Sequence, residues 1–230
     1  MTQLTKAGYN TVAKQILSPV ILAVMMFALA GTTDWLWGWV FSVVHVLVWV
    51  LMSAVLIRKN PELLNARSRP HDNAKTWDKV ILLLYGLNWI SLIALGGLDQ
   101  RYGWTSPLPG GLYLLGNALI VVGFLLTTWA MLANRNFEVA VRIQDDRGHQ
   151  VNTGGPYQYV RHPGYTGVII AFYLGMPLAL GSWPAALMGL VGIVIMVIRT
   201  ALEDRTLHAE LDGYAAFAQQ TRYRLFPNLW

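Results

Sequence analysis

Six stretches of the chain are apolar for about the thickness of a bilayer: roughly residues 16–32, 35–57, 79–98, 112–133, 164–181 and 183–199. A helix rises about 1.5 Å per residue, so some 20 apolar residues cross a hydrocarbon core of about 30 Å. The predicted architecture is therefore all-α, a polytopic transmembrane helical bundle of about six spans. Between the first two spans lies Gly31-Thr32-Thr33-Asp34, and between the last two Gly181-Ser182-Trp183-Pro184. Both are tight turns, so each pair reads as a helical hairpin. The last two spans are short, which suits a tilted or interior position. Residues 58–78 are polar and show no periodicity, and read as a surface loop or a segment along the headgroups. From 200 to 221 a helical stripe of Leu207, Leu211, Tyr214 and Ala218 predicts an amphipathic helix docked on the cytoplasmic face. The chain divides at the fourth span into a four-span membrane region, 1–133, and a C-terminal region, 134–230, that holds most of the polar chemistry.

Composition sharpens this picture. Of 230 residues, 55% are hydrophobic and only 13% charged, about half the charge of a soluble domain. There is no cysteine, which excludes disulfides, thiolate metal sites and a cysteine nucleophile; no metal is expected. No small-residue cleavage site follows a short apolar run near the N-terminus, so the first span is expected to remain as an anchor. A net charge of +5 is better read as flanking charge on one side of a membrane than as a nucleic-acid surface. With six spans both termini share a side, and every lysine and arginine except Arg101 lies there. The positive-inside rule then places both termini in the cytoplasm, in the inner membrane if the source is bacterial. Trp35, Trp37, Trp39, Trp77, Trp104 and Trp183 fall at span ends, where indole rings favour the interface.

Ionisable or polar groups at mid-span are few: His45, Asn88 and Asn117. Each reads as a hydrogen-bonding partner for a neighbouring helix rather than a substrate site, so support for transport is weak. Polar residues gather instead in two clusters. The first, 149–167, holds His149, Gly155, Pro156, Tyr157, Arg161, His162, Pro163, Tyr165 and Gly167. Arg161 and His162 could simply snorkel to the interface, but Tyr157, Tyr159 and Tyr165 around them supply stacking faces and hydrogen-bonding tips. In the second, Arg199 and Glu203 lie one helical turn apart and are expected to pair; Asp204, His208 and Glu210 follow. The tail Arg222-Tyr223-Arg224-Leu225-Phe226-Pro227 alternates basic and aromatic residues, as a phosphate or an anionic headgroup requires.

Taken together, the two clusters resemble the isoprenylcysteine carboxyl methyltransferase family and the related phospholipid N-methyltransferases. The resemblance rests on GHQVNTGGPYQYVRHPGYTG, an apolar hairpin, and then RTALEDRTLHAELDGYAAFAQQTRYRLFP. It supplies an Arg-His-Pro-x-Tyr-x-Gly element, an arginine followed by an acidic pair, a Gly-Tyr element and a basic stretch closed by proline. It covers residues 134–230 and departs from the family in having Glu203-Asp204 where two glutamates are usual. The resemblance implies S-adenosylmethionine as methyl donor, held between the His-Pro turn and the acidic helix beneath the tail. It implies donor contacts from His149, Gly155, Pro156, Tyr157, Arg161, His162, Pro163, Tyr165, Gly167, Glu203 and Asp204. Glu203 suits the donor ammonium, and Arg199 the donor carboxylate or a polar group of the acceptor. Arg199 and Glu203 are the expected catalytic pair, Glu203 as a base if the acceptor is an amine. The acceptor is expected to be a lipophilic molecule entering from the bilayer, with a carboxylate, amine or thiol to be methylated; the sequence leaves that choice open, and the oligomeric state with it. Two other readings stand beside this one. An NADPH-dependent membrane reductase of the sterol type shares a similar C-terminal architecture, but no Gly-x-Gly-x-x-Gly fingerprint is present. A non-enzymatic transporter or assembly protein would have no use for the paired clusters.

Overall fold

The computed structural model describes residues 3–67 and 74–230. Arg69, one of the basic residues counted above, and the middle of the 58–78 segment lie outside the described residues. Six long helices carry the fold: α1 Lys6–Ala30, α2 Leu36–Lys59, α4 Thr76–Tyr102, α5 Gly110–Ala133, α6 Pro163–Leu180 and α7 Trp183–Glu210. Two short α-helices, α3 Pro61–Ala66 and α8 Tyr214–Gln220, and two single 3-10 turns at Asp145–Arg147 and Gly155–Gln158 are the other helical pieces among the described residues. No strand occurs among the described residues.

Each long helix is apolar all round rather than along one stripe, as a lipid-facing helix must be. Leucine and valine side chains such as Val24, Leu51, Leu83, Leu125, Leu190 and Val194 stand outward and exposed. So continuous an apolar exterior is unsupportable in water and natural in lipid. The inner faces meet around Met26, Phe41, Leu56, Leu92, Ile93, Ile120, Met176 and Met196.

The helices close into a ring in which α1 packs on α2 and α4, α2 on α5, α5 on α6, and α4 and α6 on α7. The fifth span, α6, is the inner one: 72% of its apolar window is buried, against 22–39% for the others. This realises the interior position expected of a short span. Its approach to α5 is set by glycine. A Cβ on Gly123 would strike the backbone of Gly167 and Ala171, and one on Gly167 would strike Thr127 and the Gly123 carbonyl. In mid-course α6 widens over Ile169–Gly175, and the Met176 N–H reaches back five residues to the Ala171 carbonyl. Such a π segment rotates the side chains beyond it relative to an unbroken α-helix.

Three sequence expectations need correction. The sixth span is not short: α7 continues 28 residues to Glu210, carrying Arg199, Glu203 and Asp204 on one rigid rod. The 58–78 segment is not simply a surface loop, because α3 lies in it and plugs Leu63 and Leu64 fully into the core. Asn60 organises that entry, its side-chain oxygen accepting from the Leu63 N–H while its amide donates to the Met131 carbonyl. A six-residue helix is too short for periodicity to reveal. Finally, 200–221 is not one amphipathic helix. α7 ends at Glu210, and Gly213, at φ +82°, turns the chain into α8, a conformation glycine adopts without strain. The predicted stripe still packs together: Leu207, Leu211, Tyr214 and Ala218 join Tyr157 and Phe217 in a small second core at the basic end of the bundle.

Candidate functional site

At the basic end the segment 134–162 folds over the helix ends, and here the two clusters meet. Pro163 takes the first position of α6, where its missing N–H costs nothing. This fixes Arg161 and His162 in the extended turn just before the helix. Their backbone N–H groups donate to the carbonyls of Tyr223 and Arg224, both at 2.9 Å. The Thr166 hydroxyl donates to the Leu225 carbonyl at 2.6 Å. The C-terminal residues are thereby laced onto the Arg-His-Pro turn.

Asp204 is the hub beneath this lacing, only 1% exposed. It accepts from Arg161 through both carboxylate oxygens at 2.8 and 3.0 Å. It also accepts from Arg224 Nε at 2.9 Å and from the Tyr214 hydroxyl at 2.8 Å, and His162 Nε2 stands 3.3 Å away. Arg161 Nη1 donates to the carbonyls of Thr221 and Arg222. Burial works against the Arg161 charge, yet the paired Asp204 carboxylate outweighs it and raises the guanidinium's pKa. Burial first, and the Asp204 charge second, push the Tyr214 phenol up. The Tyr157 phenol is likewise raised by burial, although Asn134 donates to its oxygen at 3.2 Å.

Arg199 and Glu203 do not form the ion pair that their spacing suggests. Arg199 turns toward α4 and pairs with Asp78, Nε at 2.8 Å and Nη2 at 3.2 Å. It also donates to the Val139 carbonyl and lies over the Tyr165 ring at 5.1 Å. Asp78, wholly buried, uses the same carboxylate to accept from the Val141 N–H at 2.7 Å. Glu203 instead accepts the Tyr165 hydroxyl, and Tyr165 stacks flat on His162 with centroids 5.7 Å apart. The preference has a simple cause. A buried guanidinium needs a carboxylate that is itself held by further donors, and Asp78 is so held, whereas Glu203 is only half-buried.

Two cavities adjoin here. The polar one, about 790 Å³ with its open mouth, is lined by His149, Tyr157, Arg161, His162, Tyr165 and Glu203, together with Asn134, Asn136, Gln144 and Asn152. The apolar one, about 930 Å³, runs into the bundle between α2, α4, α5 and α6, among Trp49, Trp89, Phe124 and Phe172, with Arg67 and Arg199 at its basic end. Phe137, Glu138, Gly164 and Tyr165 line both. Gly164 is constrained by this wall, since a Cβ would stand 2.6 Å from the Phe137 ring.

Six of the sequence-predicted donor contacts thus line one polar cavity. Gly155, Pro156, Pro163, Gly167 and Asp204 do not line it. Gly155, at φ +57°, backs against Ala133 and Trp129; Pro156 and Pro163 open helical turns; Gly167 seats α6 on α5; Asp204 holds Arg161, His162 and the tail from behind. Arg199 lines the apolar cavity and not the polar one. Sequence reasoning missed Glu138, Tyr214 and the amides of 134–152 as wall residues, and Asp78 as the partner of Arg199. Asp78 carried a visible signal, an acid at the charged entrance of a span, but nothing local paired it with a residue 121 positions away.

Fold and cavities define an integral membrane protein with a polar site at one end of its bundle, open to an apolar pocket within it. Residues 112–210 match the family model described as phospholipid methyltransferase. Over 91 residues the chain is 31% identical to Protein-S-isoprenylcysteine O-methyltransferase B of Arabidopsis thaliana. That match covers 39% of this chain and 42% of the plant protein, so the chain spans well under two thirds of the curated relative it matches. The family-model match runs from α5 to the end of α7, so the likeness to phospholipid methyltransferases falls on the part of the chain that carries much of the polar site.

Proposed function

We propose that the protein is a membrane methyltransferase that uses S-adenosylmethionine to methylate a lipophilic acceptor drawn from the bilayer, with both termini in the cytoplasm. The observation that carries this reading is the shared wall. A polar cavity and an apolar cavity meet along Phe137, Glu138, Gly164 and Tyr165, so a polar donor and a greasy acceptor can be brought together without either leaving its preferred surroundings.

The lining fits the donor's parts. Glu203 offers a carboxylate for an ammonium or a sulfonium. Tyr157 and Phe137 offer faces for an adenine, and the amides of Asn134, Asn136 and Asn152 offer directional hydrogen bonds. His162, held by Tyr165 on one face and Asp204 at its edge, can meet a carboxylate. Arg161 contributes from behind, since Asp204 and two carbonyls occupy its donors.

When bound, the donor supplies a methyl carbon already activated by its sulfonium, which leaves as a neutral thioether while the acceptor's lone pair forms the new bond. The chain's own part is alignment and exclusion of water, which dominate such a displacement. Tyr165 stands at the junction with its hydroxyl committed to Glu203 and its ring beneath the Arg199 guanidinium. It thereby fixes both charged groups relative to the opening. Arg199, on the apolar side, positions the acceptor's polar end; Glu203, which accepts the Tyr165 hydroxyl at the shared wall, is a carboxylate able to take a proton released by an amine acceptor.

Calorimetry on the detergent-purified protein tests this. S-adenosylmethionine is expected to bind saturably and NADPH not to bind, and Glu203→Ala is expected to weaken donor binding at least tenfold, one lost charge-assisted contact. NADPH binding alone, or no donor binding by folded protein, would overturn the reading.

A further inference from the structure

The polar side chains in and beside the apolar cavity are of two kinds. The indole Nε1 atoms of Trp49 and Trp89 and both ring nitrogens of His45 are unbonded and sealed off. His45 is packed among the rings of Phe41, Trp89, Phe124 and Phe172, so these nitrogens have no surface to offer a ligand. Arg67, Tyr85 and Arg199, which line the cavity, differ. Arg199 commits Nε and Nη2 to Asp78 and the Val139 carbonyl, and Nη1 is left without a protein partner. Arg67 is half-buried. Its Nη1 is sealed, but Nε and Nη2 are neither sealed nor bonded among the described residues. The hydroxyl of half-buried Tyr85 is likewise open and unbonded among them.

These three groups are neighbours. One guanidinium lies over each aromatic residue of the shared wall, Arg67 over Phe137 at 5.9 Å and Arg199 over Tyr165 at 5.1 Å. Tyr85 is near enough for both cations to act on it. Their charges are not matched alike. Asp78 is in contact with Arg199. Glu138, the carboxylate in the cavity lining, is held by Arg142 at 2.8 and 3.0 Å and acts on Arg67 only through space. Burial lowers the Arg67 pKa to about 10, so the group stays protonated at neutral pH. A cation desolvated without a carboxylate in contact is costly, and an anion brought by a ligand offsets that cost. Guanidinium only donates, and a phenol can donate. A carboxylate or a phosphate satisfies all three groups; an alcohol meets them in part, and an ammonium is repelled.

We propose that Arg67 and Tyr85 are specificity-determining residues of the apolar cavity: with Arg199 Nη1 they seat the anionic head, carboxylate or phosphate, of an amphiphile whose tail lies among Trp49, Trp89, Phe124 and Phe172. Both residues precede the matched stretch 112–210 and sit where the sequence shows no chemical motif. The proposal rests on the reading of this cavity as the acceptor site, and it narrows the acceptor to a lipid that carries an anion.

Calorimetry in one fixed non-ionic detergent tests it with four ligands of equal chain length: decanoate, decyl phosphate, decan-1-ol and decylamine. At least one of the two anions is expected to bind about tenfold or more tighter than the alcohol and the amine, the worth of a charge-assisted hydrogen bond. A preference for decanoate assigns the seat to a carboxylate, and one for decyl phosphate to a phosphate head. Arg67→Gln is expected to remove about tenfold of the anion's advantage and Tyr85→Phe a few-fold, with decanol binding unchanged in both and Arg67→Lys restoring part of the loss. S-adenosylmethionine, in the other cavity, is expected to bind each variant as it binds the parent. Should Arg67→Gln fail to fold, as thermal unfolding will show, Tyr85→Phe decides. Equal binding of anions and alcohol overturns the proposal. So does an anion preference that survives both substitutions, a loss of anion and alcohol binding together in folded variants, or the binding of none of the four. Failure of S-adenosylmethionine to bind the parent protein is a separate result: it removes the methyl-transfer reading and leaves the seat to be judged by the four amphiphiles.

Discussion

Single residues here divide into those that face a ligand and those that hold the facing residues still. Asp204 belongs to the second kind. Two arginines, a tyrosine and a histidine converge on one buried carboxylate. Replacing it with asparagine leaves Arg161 in the interior with its charge unmatched. Breaking such a buried pair costs about 3–5 kcal/mol, so Asp204→Asn is expected to lower thermal stability in detergent sharply and to expose the C-terminal residues to limited proteolysis. Tyr165→Phe is a gentler change. It removes only the hydroxyl that Glu203 accepts and keeps the stacking on His162 and the contact with Arg199. A stability loss of about 1 kcal/mol is expected, together with weaker donor binding measured calorimetrically, because the Glu203 carboxylate is no longer fixed in place.

At the scale of elements, the site depends on α6 lying close against α5. The Gly123–Gly167 contact permits that approach, and the Arg-His-Pro turn at its end follows. A branched side chain at Gly167 meets the Thr127 hydroxyl and, close behind it, the backbone of Gly123 and Thr127, which cannot yield. Gly167→Val is expected to cost about 1–3 kcal/mol, typical of overpacking, and to widen the wall between the cavities, seen as lowered melting temperature and loss of donor binding together. The short helix α3 matters in a similar way. Leu63 and Leu64 are fully buried, so Leu64→Ala is expected to destabilise by about 2–5 kcal/mol, a cost no surface loop would show. Lys75–Glu210, by contrast, joins the starts and ends of two helices through exposed groups and contributes little.

The molecule as a whole is a ring of helices with one chemical end. Among the described residues every lysine and arginine but Arg101 lies toward that end, and the proposal that it faces the cytoplasm has a clean test, because the chain has no cysteine to confuse labelling. Lys14→Cys and Arg101→Cys are expected to react with a membrane-impermeant maleimide from opposite sides: Arg101→Cys in intact cells or spheroplasts, Lys14→Cys only after the membrane is opened. The reverse pattern would place the polar cavity, and its access to donor, on the other side.

Hydrophobic run length alone determined the number of spans, the two hairpins and the all-helical class, because each is a local property: a bilayer asks only that about 20 consecutive residues be apolar. The two polar clusters were legible for the same reason, each being a short run of unusual residues beside an apolar helix. What only the tertiary structure decided is which of those residues face a cavity and which support the ones that do. Arg199 and Glu203 are neighbours on one helix, so spacing alone pairs them. The fold instead brings Asp78 to Arg199 and Tyr165 to Glu203 from helices far away in sequence, and a buried charge takes the partner that is itself best held. His45 shows the same division: its place in a span was plain from the sequence, but whether a neighbouring helix would meet its nitrogens depended on which rings the bundle packed around it.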